Sequence, residues 1–248
     1  MCKGGIVKKY FKALLYKELK TIFSSLSFWF AFLFSYLALS FLFLGLPVWF
    51  DIGISDFQYF FSLFPFIFIV IIPMLTVSTW TDEYKMQTSK LLFLFPISEL
   101  AIVVIKYFSI LIAFSILLLC SIIIPASVIS ITYFELPIFL FSYISTFLFG
   151  ASCIALCLAL ASISNEPAIS MLFSFIIILF FSLIHFVPRL TTLPSIIEHI
   201  INALSFNTHF QNAALGIFHL GDYIFFIAIV ILGVSANVFI LKYKKERV

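Results

Sequence analysis

Four histidines, His185, His199, His209 and His219, are the residues best able to hold a metal or move a proton. Their spacings of 14, 10 and 10 residues put no two on adjacent turns of one helix, the usual ligand arrangement. They read as interfacial or hydrogen-bonded side chains. Cys2, Cys120, Cys153 and Cys157 have no metal-site spacing, and default to small packing residues. Cys153 and Cys157 share a helix face, but two thiols alone make a poor site. Ser109, Ser115, Ser142 and Ser145 have no evident base beside them, and helix–helix hydrogen bonding is their default role. No glycine-rich phosphate loop ends in Lys-Ser or Lys-Thr, so nucleotide binding is not expected on this chain. No Asp, Glu, Lys or Arg lies deep within the apolar runs, where ion-coupled transporters and intramembrane hydrolases need one.

The chain that must position these residues has 248 residues, 64% hydrophobic and 10% charged, with mean hydropathy +1.24. Soluble domains are about 45–50% apolar and about 25% charged. The solvent for this chain is therefore lipid, and only helices or a closed barrel span lipid. Long uncharged runs, rather than alternating ones, select helices. The expected fold is an all-α integral membrane protein, a single domain over 1–248, with six transmembrane helices. The spans lie near 27–46, 57–80, 101–131, 137–163, 167–187 and 222–241. A cleaved signal peptide is not expected, because the first run is membrane length and no small-residue cleavage pattern follows. Thirty-five phenylalanines read either as an aromatic path for a hydrophobic substrate or, by default, as lipid-facing bulk.

Charge placement orients the spans. Lys3, Lys8, Lys9, Lys12, Lys17 and Lys20 precede the first, Lys85, Lys90 and Lys106 flank the second loop, and Lys242, Lys244, Lys245 and Arg247 follow the last. The opposite loops hold Asp51, Asp56, Glu135, Glu198 and Asp222 but only Arg189 as a strong base. By the positive-inside rule both termini are cytoplasmic, in a cell membrane. Residues 6–26 read as an interfacial amphipathic helix. Phe11, Leu14, Leu15, Leu19 and Ile22 lie on one side, and Lys9, Lys12, Lys17 and Lys20 on the other. Glu18 projects from the apolar arc. It either pairs with Lys17 or a nearby lysine, or meets another helix or a partner subunit. The outer segment 189–221 carries a possible capping box at Ser195 and Glu198 and an apolar face of Ile196, Ile197, Ile200, Ile201 and Leu204. Too short and polar to span, it should lie on the outer interface or fold back.

The cytoplasmic segment 81–100 combines a charged frame, Asp82 to Lys90, with the apolar run Leu91-Leu92-Phe93-Leu94-Phe95. That run either dips into the interface or fills a partner's groove. Ser98 can cap the following helix, and Glu99 suits its positive end.

Pro73-Met74-Leu75-Thr76, Asp82-Glu83, Thr88, Leu91-Leu92, Pro96-Ile97-Ser98-Glu99 and Lys106, in this order and spacing, resemble the permease subunits of ABC-2 type transporters. The nearest branch is that of gliding-motility and copper-processing permeases. Lys17-Glu18-Leu19, Ser164-Asn165-Glu166, Ser205-Phe206, His209-Phe210, Gly216 and Asp222-Tyr223 extend the likeness over nearly the whole chain. Ser78, Gln87 and Lys90 depart from it, standing where the family often has Arg, Gly and Glu. The resemblance implies an ABC-2 permease-like fold and an exporter subunit. It has no catalytic residue, no metal and no cofactor of its own. ATP and Mg belong to cytosolic ABC ATPase partners. It implies a second permease chain, identical or a paralogue, besides the bilayer, and no nucleic acid. It assigns a coupling helix docked on the ATPase through Asp82, Glu83, Thr88, Leu91, Leu92, Phe95 and Pro96. The membrane-surface helix is that of Lys9, Lys12, Lys17, Glu18 and Lys20. The outer gate is placed at Ile197, Ile200, Phe206, His209, Phe210 and Gly216. The alternative is a membrane anchor that recruits a cytosolic partner without transport. The substrate is unassigned.

Overall fold

The computed structural model describes residues 3–45, 57–88, 98–128, 136–190, 194–214 and 220–246. Apolar runs of this length can pair their amides without water only as helix, and among the described residues there are helices and no strand. Helix α1 is Lys3–Ser24. Ser25 ends it in an extended conformation, and its hydroxyl accepts the Phe28 N–H at 3.2 Å, capping α2, Leu26–Ser40. A π-helical turn, Phe41–Gly45, continues α2. Short α3, Gln58–Ser62, precedes α4, Phe64–Lys85. The Ser98 hydroxyl accepts the Ala101 N–H at 3.3 Å and caps α5, Glu99–Ser121. Then follow α6, Ile123–Ala126, α7, Leu136–Ala161, and α8, Pro167–Leu183. A 3-10 turn, Ile184–Phe186, leads to α9, Val187–Leu190. Helices α10, Ser195–Leu204, α11, Phe206–Ala214, and α12, Leu220–Lys245, complete the chain.

Six helical stretches are long and apolar enough to cross a membrane: Leu26–Gly45, Gln58–Lys85, Glu99–Ala126, Leu136–Ala161, Pro167–Phe186 and Leu220–Lys245. The protein is an all-helical, multi-pass membrane protein. Helices α4 and α7 form its buried centre. Helix α12 runs along α7, α8 against α4, and α1 against α5 at the lysine-rich end. Helices α2, α8 and α12 turn Leu33, Phe34, Phe173, Ile176, Ile231 and Phe239 outward, as lipid-facing surfaces do.

The phenylalanines serve both surfaces. Phe149 of α7 is fully buried and lies 5.6 Å from Phe68 (α4), 5.2 Å from Phe210 (α11) and 5.9 Å from Phe226 (α12), between ring centroids. Such pairs add about 0.5–1.5 kcal/mol each beyond buried area. Lipid-facing bulk therefore describes only part of the phenylalanine content.

The serines meet their expected role only in part. Ser109, Ser115, Ser142 and Ser145 all donate to the carbonyl four residues back on their own helices, at 2.6–2.9 Å. Ser145 also meets the Tyr223 hydroxyl at 2.9 Å, and Ser121 meets Tyr143 at 3.3 Å. Back-bonding satisfies a hydroxyl wherever the neighbouring helix offers no polar group.

Besides the Ser145–Tyr223 contact, close approach of the backbones joins α12 to α7. A Cβ at Gly233 would sit 2.7 Å from the Ala155 carbonyl carbon, so no side chain fits unless the two backbones part. Gly233→Ala is expected to cost about 1–3 kcal/mol, as overpacking does. Thermal unfolding of the purified chain in detergent checks this, with Ala236→Leu on the exposed face of α12 expected to be near neutral.

Candidate functional site

The lysine-rich end contains a buried ion cluster. Lys106, two turns into α5, is 1% exposed. Its Nζ lies 3.3 Å from Glu18 Oε2 of α1 and 3.0 Å from Glu83 Oε1 of α4. It donates to the Thr79 carbonyl at 2.8 Å and sits 4.6 Å above the Trp80 ring. Lys17 of α1 closes the ring, at 3.3 Å from Glu18 Oε1 and 3.1 Å from Glu83 Oε1. Two cations and two carboxylates cancel, so the cluster carries no net charge. Desolvation pulls the Lys17 ammonium toward its neutral form, but the Glu18 and Glu83 carboxylates outweigh it and hold its pKa above the ordinary lysine value. Its contribution to stability is full below that ordinary value and is lost as pH climbs through the raised one.

This geometry answers the question Glu18 posed, and both proposed roles hold: it pairs with Lys17 and also meets another helix. It also corrects the placement of Glu83. The segment 81–100 was expected to begin in water, with Glu83 in its solvated frame. Instead α4 runs on through Lys85, Thr81 is fully buried, and Glu83 is buried beneath Lys17 and Lys106. Asp82, one residue earlier, faces outward, because successive helical residues point about 100° apart. Lys106 counts toward the charge asymmetry, yet it is a buried structural cation. The legible signal was a lysine inside an apolar helix, which needs a partner in low dielectric.

After α4 the chain turns sharply. Met86 N–H bonds Asp82 O at 3.0 Å and Gln87 N–H bonds Tyr84 O at 3.2 Å. Gln87 has φ +53°, the left-handed position past a helix end that favours glycine. The Thr88 hydroxyl returns to Glu83 O at 3.4 Å. Leu91, Leu92, Phe95 and Pro96 lie outside the described residues. The last turn of α12 closes over the same end. Lys245 pairs with Glu99 at 2.6 Å, and Lys244 donates to Asn165 Oδ1 at 3.3 Å while lying 3.9 Å over the Tyr84 ring. Lys12 and Lys20 are exposed. Lys9 falls within α1, and its side chain is outside the described set.

The opposite end has its own polar knot. Helix α11 folds back onto the bundle, with Phe206 and Phe210 fully buried against Phe149. His209 Nδ1 lies 2.5 Å from Asp222 Oδ1 at the start of α12, and Nε2 faces the Ala203 carbonyl at 3.2 Å. Its ring stacks on Phe225 at 4.2 Å. His185 Nδ1 faces the Ser182 carbonyl at 2.9 Å, and Asn207 Nδ2 donates to Nε2 at 3.1 Å. Of segment 189–221, α11 folds back onto the bundle, while α10 leaves Ile196, Ile197, Ile200 and Leu204 exposed. Gly216 and His219 lie outside the described residues. Among the described residues no three His, Cys, Asp or Glu side chains gather as metal ligands.

Neither a protein-family model nor a curated protein matches the chain.

Removing one member of a buried charge pair leaves the other uncompensated and costs about 3–5 kcal/mol. Lys106→Met should lower thermal stability by this amount, and Lys106→Met with Glu18→Gln by clearly less. Equal losses in the single and double variants would show that the charges are not coupled. Gln87→Gly should raise stability by about 1 kcal/mol by relieving the left-handed strain, read from the same unfolding curves.

Proposed function

We propose that the chain is the membrane-spanning permease subunit of an ABC-2 type transporter, an exporter driven by ATPase subunits on separate chains. The carrying observation is the ion cluster. It ties α1 to the ends of α4 and α5, the two helices that frame the segment in which the resemblance puts the ATPase contact. Two further features support the reading. Gln87, where the resembled family often carries glycine, occupies a left-handed turn. The folded-back α11 lies where the resemblance puts an outer gate.

On this reading the lysine-rich end is cytoplasmic. An ATPase grips Leu91, Leu92 and Phe95, with Asp82 and Thr88 beside them. Glu83 acts from within, joining the gripped segment to α1 through Lys17 and to α5 through Lys106. A displacement of that segment is then shared by three helices. At the far end, Phe206 and Phe210 close the bundle against Phe149, and the His209–Asp222 pair holds α11 to α12. Opening there requires this pair and the ring contacts to part. ATP and Mg act on the partner subunits.

The test is affinity purification of the full chain from its own cells. An ATP-hydrolysing subunit should accompany it, and Leu92→Asp with Phe95→Asp should release that subunit without lowering the chain's thermal stability. An ATPase retained by the double variant, or absent from the wild-type preparation, defeats the proposal. Co-purification without ATP-dependent flux in proteoliposomes would indicate an anchor instead.

A further inference from the structure

The ion cluster balances its own charges, but a lysine beside it is unbalanced. Where α1 turns into α2, Tyr16, Lys17, Lys20, Thr21, Ser24 and Ser25 line an open groove of about 610 Å³. The hydroxyls of Thr21 and Ser25 are committed to the carbonyls of Lys17 and Ile22, at 3.0 and 2.7 Å. Tyr16, Lys20 and Ser24 are exposed and have no side-chain partner among the described residues. The Lys17 side chain is 54% exposed on this side while holding Glu18 and Glu83 on the other. The groove thus offers one uncompensated ammonium, part of a second, and two free hydroxyls: the donors that suit a monoanionic phosphate.

Depth identifies where such a phosphate would come from. The groove ends at Ser25, and the next residue, Leu26, opens the first 20-residue apolar helix. Trp29, one turn further on, donates its Nε1–H to the Phe23 carbonyl at 3.0 Å and leaves its ring half exposed. An indole placed this way settles at the boundary between headgroups and hydrocarbon. Lipid phosphates are concentrated at that level. A zwitterionic lipid brings its own cation and gains less from Lys20 than an anionic lipid does.

We propose that this groove is a binding site for the phosphate of an anionic membrane phospholipid. Lys20 supplies the main charge, Tyr16 and Ser24 donate hydrogen bonds, and Lys17 is shared between the lipid and Glu83. The site does not depend on the transport reading. It does place a lipid within reach of the lysine that holds α1 to α4.

The full-length chain, purified in detergent, is mixed with equal amounts of phosphatidylglycerol and phosphatidylcholine, and retained lipid is counted by native mass spectrometry. The wild type should retain phosphatidylglycerol preferentially. Lys20→Gln, at an exposed position, should lower that retention about fivefold, the value of one lysine at an anionic surface, and leave phosphatidylcholine unchanged. Lys12→Gln, two turns away and outside the groove, should keep the wild-type preference. Three results would overturn the site: an unchanged preference in Lys20→Gln, an equal loss in Lys12→Gln, or displacement of the lipid by excess soluble glycerol phosphate. The first leaves the groove without a lipid, the second makes the attraction diffuse, and the third makes the ligand a free phosphate. A separate ATPase, present or absent, alters none of these outcomes.

Discussion

A lysine ammonium with 1% exposure is the constraint on which the lysine-rich end of the molecule depends. Lys106 stands two turns inside an apolar helix, where a lone charge would cost several kcal/mol. It is tolerable there because two helices bring it partners: a carboxylate from α1, and a carboxylate and the Thr79 carbonyl from α4. The positions of α1, α4 and α5 are therefore not independent. One cannot shift by more than a hydrogen-bond length unless the others follow or the charge is exposed to water. The Lys17–Glu83 pair at 3.1 Å adds a second ionic link from α1 to α4.

The opposite end is organised by shape. Rings from α4, α7, α11 and α12 meet around Phe149, and the polar groups there, His209, Asp222, His185 and Asn207, sit at the margin of that cluster. One end of the bundle is thus held by a few strong, directional interactions. The other is held by many weak ones with a polar seam. The two respond differently to perturbation. Removing a single charge unbalances the first, whereas the second yields gradually as rings are trimmed.

The membrane-spanning helices were legible because lipid allows so few alternatives: an apolar run of twenty residues must pair its amides within itself. The Ser98 cap was also legible, since cap chemistry is local. The ion cluster was not. Glu18 and Lys106 are 88 residues apart, and Lys17 and Glu83 are 66 apart, so no periodicity within one helix joins them. Only the unease of Glu18 on an apolar arc and of Lys106 in an apolar helix betrayed that partners exist. Glu83 was misread for a related reason: beside Asp82 it looks like the start of a polar loop, and only the continuation of the helix sends the two side chains in different directions. The serines were legible only in part, Ser145 bonding a neighbouring helix as well as its own, because the two kinds of hydroxyl bond are indistinguishable in sequence.

The corner at Ser25 has a mechanical corollary. A single residue separates α1 from α2, and the corner is pinned by the Ser25 cap and by the Trp29 bond to Phe23. The 22 residues of α1 make a rod about 33 Å long at 1.5 Å per residue, with its fulcrum at that corner. Glu18 grips the rod roughly 10 Å from the fulcrum by the same rise. A rigid rod held so close to its pivot magnifies displacement about threefold at its free tip and reduces force in the same ratio. Small changes in the cluster's geometry would thus be expressed as larger sweeps of the N-terminal end of α1.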